Sequence, residues 1–321
     1  GYPYTTGAFD QSFNFGTCDV AITKYDTSGT QLVFSTYLGG NGYDHPHSLI
    51  VNSTGNLYVM GSTGSENFPT TTTAFDRTFA GGPSVNIFGN ISDGVDIFIT
   101  GFNASGSSLL GSTYLGGTNT DGLNLSQDLD YNYSDEFRGE INLDDEENVY
   151  VSSCTYSTDF PVLNGFDLSH NGGQDAVLTK LTPALTDVLW STFIGGENDE
   201  AAYGVDVATD GTVYVGGGTS STDFPTTQGA YNTSYRGGRA DGFIAELSAG
   251  GDSILHATYY GSAAYDQIYI MQLDRRDHPH FFGQTEHTGS QMIFNANWNN
   301  PGGGQILGVL KPDLSEREWT T

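Results

Sequence analysis

The residues most suited to chemistry stand in one acidic run. Asp128, Asp130, Asn132, Ser134, Asp135 and Glu136 place oxygen-bearing side chains at nearly every second position. Hard cations such as Ca²⁺ take six to eight oxygen ligands, and an extended loop edge carrying Asp and Asn at alternate positions supplies them. The run is not an EF-hand, because Tyr133 occupies its sixth position and Gly139 its twelfth. Asp128, Asp130, Asn132 and Asp135 are therefore the candidate calcium ligands, against the alternative of a solvated loop. A second acidic group, Asp144 to Glu147, occupies a turn, where Asp is favoured and charge is usually solvated.

Other constellations carry less. His45 and His47 flank Pro46, and His278 and His280 flank Pro279, but the two pairs fall in different words of the sequence. A zinc site also needs at least three ligands. No G-x-S-x-G nucleophile elbow is present, and no Ser-His-Asp order stands out. Cys18 and Cys154, the only cysteines, occupy non-equivalent positions, which predicts two isolated buried thiols. No catalytic residue is assigned.

The elements that must position these groups are repeats. One word, S-T-Y/F-L/I-G-G, stands at Ser35–Gly40, Ser112–Gly117 and Ser191–Gly196, with a weaker copy at Ala257–Ser262. Its threonines, Thr36, Thr113, Thr192 and Thr258, are 77, 79 and 66 residues apart. A second word, G-N-L-Y-V-M-G-S-T at Gly55–Thr63, returns at Glu147–Thr155, Gly211–Thr219 and His278–Thr285. Phe-Pro stops follow it at Phe68, Phe160 and Phe224, and Pro cannot donate to a ladder. A third word begins at Asp19, Asp96, Asp175 and Asp241. The apolar residues alternate, with Asp-Gly in a turn between two runs at Thr209–Gly211, which predicts short strands joined by hairpins.

Four short strands per recurring unit predict an all-β protein, a β-propeller of four-stranded antiparallel blades. Units of this length exceed an ordinary blade, so their connections carry insertions. The blades are expected at 47–115, 138–194, 201–260 and 266–321, with half a blade at 1–38. The chain opens in mid-phrase and reads as an excerpt of a longer protein carrying a six- or seven-bladed ring. Two segments break the pattern, Pro83–Val95 and Thr118–Phe137, and insertions in repeat proteins tend to carry function.

The net charge is −28, from 38 acidic and 10 basic residues. Nucleic-acid binding needs a basic footprint, so that partner class is excluded. No apolar run approaches the ~18–20 residues of a membrane span, so direct membrane insertion through a helix is not expected.

The repeated words, with the Phe-Pro-Thr-Thr stops and the D-A-V-L-T-K-L strand, resemble the bacterial SBBP-type β-propeller repeat over nearly the whole chain. Longer phrases, such as GQDAVLTKLTPALTDVLWSTFIGG, are similar to large secreted surface proteins of Bacteroidota. Those carry PKD modules and gliding-motility-associated C-terminal sorting domains. The resemblance implies type IX secretion, an extracellular location at the bacterial cell surface, and no transferable catalytic residues. The expected function is that of a non-catalytic adhesion or binding scaffold. Its partners would be surface glycans or proteins and other domains of the same chain. The alternatives are a polysaccharide-active propeller, lyase or hydrolase, and a structural subunit of a surface filament.

Overall fold

The computed structural model describes every residue except Phe88 and Tyr133. Strands β1 (Val20–Tyr25) and β2 (Leu32–Leu38) form a two-stranded sheet. The next sheet has the order β3 (Asp44–Val51), β4 (Leu57–Thr63), β7 (Asp96–Phe102), β8 (Leu109–Leu115). A small hairpin, β5 (Val85–Ile87) with β6 (Asn90–Ser92), is inserted between β4 and β7. Then come β9 (Glu140–Leu143), β10 (Val149–Thr155), β11 (Asp175–Leu181) and β12 (Val188–Ile194). The fourth sheet holds β13 (Glu200–Val207), β14 (Val213–Thr219), β15 (Asp241–Leu247) and β16 (Ile254–Tyr260). The last holds β17 (Asp266–Leu273), β18 (Pro279–Thr285), β19 (Gln305–Leu310) and β20 (Arg317–Thr320). Each four-stranded sheet is an antiparallel meander in chain order, as a propeller blade requires.

The period-2 pattern decides which neighbouring blade a side chain meets, because successive side chains leave a strand on opposite faces. On β14, Val213 and Val215 pack toward the blade of β9–β12, whereas Tyr214 packs toward the blade of β17–β20. On β7, Ile97 and Ile99 face one neighbour while Phe98 and Phe102 face the other. Both faces are therefore apolar, and β4, β7, β10, β14 and β15 are buried along their whole length. The core is a series of slabs between sheets.

The inner strands start earlier than their apolar runs suggest. The sequence begins the first at His47, but β3 starts at Asp44, with a register shift between Pro46 and Ser48. The same shift recurs at Ala202/Gly204 and Ile268/Ile270. A bulge lets Pro46, which has no N–H to donate, sit within a paired strand.

A repeated clasp joins the blades. The Gly40 amide and the Ser65 hydroxyl donate to Asp44 Oδ2 at 2.8 and 2.9 Å, and Thr63 donates to Oδ1 at 2.5 Å. Asp121 receives Gly117 N, Ser157 and Thr155 in the same way. Glu200 receives Gly196 N at 2.8 Å and Thr219 at 2.5 Å, and Asp266 receives Ser262 N at 2.6 Å. Each carboxylate thus ties the turn that ends one blade to the first hairpin of the next. In two blades a tyrosine secures the turn before the Phe-Pro stop. The Tyr114 hydroxyl donates to Ser65 O and that of Tyr259 to Ser221 O, at 2.7 and 2.9 Å. Tyr259→Phe leaves that buried carbonyl unpartnered and should cost about 1–3 kcal/mol, read as a lower denaturant midpoint with an unchanged m-value.

Candidate functional site

The inner strands β3, β9, β13 and β17 converge on the axis of the ring. Between them lies a cavity of about 380 Å³, lined by His45, His47, Ser134, Phe137, Arg138, Glu140, Tyr203 and Tyr269 among others. The segment after Asp121 forms its wall on one side. Asp121 keeps the clasp and bridges to Thr155, and the chain then leaves the strand line until β9 resumes at Glu140. The excursion is bonded to three blades. Asn124 Nδ2 donates to the Tyr203 hydroxyl at 3.1 Å, and Leu125 N donates to Gln174 Oε1 at 3.0 Å. Ser126 donates to Asp199 at 2.6 Å, and Gln267 Nε2 donates to Leu129 O at 2.8 Å.

Asp135 is the hub of this segment. It is fully buried and accepts from Asn132 N at 2.7 Å, Asn132 Nδ2 at 3.1 Å and Tyr131 N at 3.3 Å. The Tyr269 hydroxyl donates to it at 3.3 Å and Arg138 Nε at 2.7 Å. Arg138 stacks on Tyr269 with its guanidinium carbon 4.0 Å from the ring centroid.

The four candidate calcium ligands take separate places. Asp128 is half-exposed and lies 3.6 Å from Arg239. Asp130 is pushed up to about 6 by partial burial, then by Glu136 and Asp135. Asn132 turns its amide nitrogen inward, to Asp135, Tyr269 (2.8 Å) and Gln284 (2.5 Å). Asp135 is already engaged by Arg138. Among the described residues no group of three or more His, Cys, Asp or Glu side chains is arranged to hold a metal ion. Ser134 adopts a left-handed conformation (φ 68°) and starts a 3₁₀ turn at Asp135–Phe137, so the run bends at its end. Tyr133 lies outside the described residues.

The cavity's titratable groups are held near neutrality. Burial, reinforced by Asp206, pushes the Glu140 carboxyl up to about 7 despite the bond it accepts from Val205 N at 3.0 Å. Burial, then His45, lowers His47 to about 3, and burial lowers His45. Burial, then Asp135, raises the Tyr269 phenol to about 12. The His45 ring stacks on Phe137 at 4.2 Å between centroids. The His278–Pro279–His280 pair lies elsewhere, with His278 2.9 Å from Glu318. Cys18 is half-buried and Cys154 buried, both as free thiols. The sequence reading did not single out Glu140 or Tyr269 as site residues. Their signal was Glu140 at the start of the shortest inner strand, directly after the insertion.

A family model for the SBBP β-propeller repeat matches residues 33–69. That stretch runs from β2 through the first clasp and the β3–β4 hairpin to the Phe-Pro stop, so the repeat type is of the SBBP kind. No match to a curated protein sequence is found. A crystal structure of a protein of unknown function from Dyadobacter fermentans DSM 18053 is similar at 12% identity and a TM-score of 0.42, over 88% of this chain and 66% of that one. A quinohemoprotein alcohol dehydrogenase from Pseudomonas putida HK5 is similar at 11% identity and a TM-score of 0.29, over 90% of this chain and 54% of that one. This chain thus spans about two thirds and about half of the two proteins. Likeness at these scores carries no argument about activity.

Proposed function

We propose that this chain is a binding module at the bacterial cell surface, and that its axial cavity takes a glycan of low net charge. The cavity's lining carries this reading. Sugars present apolar C–H faces and fixed arrays of hydroxyls, and recognition sites combine aromatic surfaces with a few convergent polar groups. Tyr203, Tyr269 and Phe137 supply the surfaces, and His45, His47 and Glu140 supply donors and acceptors. Arg138 is offset by Asp135, so the cavity has no strong charge of its own. A net charge of −28 supports an extracellular setting, where such charge keeps a surface module dispersed. Display outside the cell is tested by protease treatment of intact cells.

Binding is tested by calorimetry and glycan arrays with the protein and its His45→Ala variant. The expected result is loss of at least tenfold in affinity with little change in melting temperature, since His45 stacks at the cavity wall and makes no clasp. Unchanged glycan retention in the variant would remove the cavity from this role.

A second reading rests on Glu140. A carboxyl at about 7 suits proton transfer near neutral pH, as a polysaccharide lyase or hydrolase requires. The two readings separate on Glu140→Gln. Enzymatic action predicts loss of turnover with retained binding, whereas a binding module shows no turnover in either form.

A further inference from the structure

Every blade junction holds two carboxylates rather than one. Beside each clasp carboxylate stands the aspartate that opens the third strand of the preceding blade. Asp19 faces Asp44, Asp96 faces Asp121, Asp175 faces Glu200, and Asp241 stands beside Asp266. The first glycine of the turn separates them. A Cβ on Gly39 would lie 2.7 Å from Asp44 Oδ2 and 2.9 Å from Asp19 Oδ1. On Gly116 it would meet Asp121 Oδ2 at 2.7 Å and Asp96 Oδ1 at 3.0 Å, and on Gly195 Glu200 Oε2 at 2.5 Å and Asp175 Oδ1 at 3.0 Å. A Cβ on Gly261 would overlap Asp241 Oδ1. Only glycine leaves room for the two acids to face each other.

These groups are buried: Asp44, Asp121, Asp175, Glu200, Asp241 and Asp266 are 0% exposed and Asp96 is 1% exposed. Asp19, Asp175 and Asp241 each keep an Oδ1 that receives no hydrogen bond. The charged groups facing the pairs are mostly acids too. Asp10 faces the first, Asp76 the second, Asp167 and Asp199 the third. Arg236 and His287 face only the fourth. The nearby Cys18 and Cys154 thiols and the Tyr114, Tyr235 and Tyr259 phenols are held neutral by burial.

Two neighbouring buried carboxylates repel each other, and one proton on the pair removes the repulsion. We propose that each blade junction keeps one proton on its pair of carboxylates, so that the ring tightens in mild acid and loosens as the pH rises. Burial pushes Asp19 up to about 6 and Asp96, Asp175, Glu200 and Asp241 to about 7. The folded chain therefore binds more protons than the unfolded chain between about pH 4 and 7. Stability from this source is full below the unfolded carboxyl range and is lost as the pH rises through 6 to 7.

The test is thermal unfolding from pH 5 to 9 in EDTA, at high salt to screen the surface charge. The melting temperature of the protein should fall by several degrees across that range. Asp175→Asn and Asp241→Asn each replace one acid of a pair by a neutral amide of the same shape. Each should flatten the profile, gaining stability relative to the parent at pH 9 and none at pH 5. Calorimetric unfolding of the parent at pH 6 in two buffers of different ionisation enthalpy should show net proton release. A flat parental profile, no proton release, or an asparagine penalty equal at all pH values would overturn the proposal. So would full recovery of the pH 9 loss by Ca²⁺ in the parent and not in Asp175→Asn, which would put a metal between the pair.

Discussion

Asp135→Ala should release the insertion from the ring while leaving the sheets folded. The side chain accepts five hydrogen bonds, and its removal strands Arg138 and the Asn132 and Tyr131 amides together, while the Tyr269 hydroxyl keeps Gln284 and Asn132. Removing one partner of a fully buried ion pair typically costs about 3–5 kcal/mol. The Arg138 side chain is 31% exposed and can recover some hydration, which places the expected cost near ~3 kcal/mol. The loss should be local, because Asp121 holds its junction through Thr155 and Ser157 without help from the excursion. Amide exchange should therefore accelerate across residues 122–137 and stay slow in β10, β14 and β15. Under the proposed reading, glycan binding should fall by at least tenfold with it, since Arg138 and Phe137 line the cavity. Uniform acceleration across all sheets would show that the excursion supports the ring itself.

This hub shows where the sequence could and could not be read. The strands were legible because alternation is a local property: the residues of β14 each face a fixed neighbour, and no long-range information is needed to see that both faces must be apolar. The segment Thr118–Phe137 was legible as an interruption. Its division was not, because Thr118–Asp121 belongs to the regular junction and only the residues beyond Asp121 are inserted. The clasp had a signal too. Gly40, Gly117, Gly196 and Ser262 are each followed four positions later by Asp44, Asp121, Glu200 and Asp266, and Thr63-x-Ser65 recurs as Thr155-x-Ser157 and Thr219-x-Ser221. An acid at one fixed offset from a turn in every repeat is more informative than an acidic run, because its position is set by what it must reach. The calcium reading weighted the opposite feature, dense oxygen side chains at short spacing. Ser134 turns left-handed within that run, a property that residue type alone does not announce. Glu140 had only its place directly after the insertion as a signal, since its environment is made by β3, β13 and β17, all distant in sequence.

Phe224→Ala and Phe68→Ala should be the most damaging substitutions among the Phe-Pro stops. Phe224 is 3% exposed and stands 4.6 Å from Phe243 and 5.8 Å from Tyr259 between ring centroids. Phe68 has the same company, with Phe98 at 4.6 Å and Tyr114 at 6.1 Å. Truncating a buried phenylalanine costs about 3–5 kcal/mol through lost transfer energy and the cavity left behind. Paired rings add about 0.5–1.5 kcal/mol beyond buried area. The stop at Phe160 is built differently. Val177 stands where the other blades have Phe98 and Phe243, and Phe193 stands where they have a tyrosine, with its ring 6.3 Å from Phe160. Phe160→Ala forfeits less aromatic contact, so it should cost less than Phe224→Ala or Phe68→Ala. The ranking is read from urea midpoints of the three variants. Equal losses would mean that the stop acts through its proline and turn alone, and that the aromatic pair contributes nothing beyond filling space.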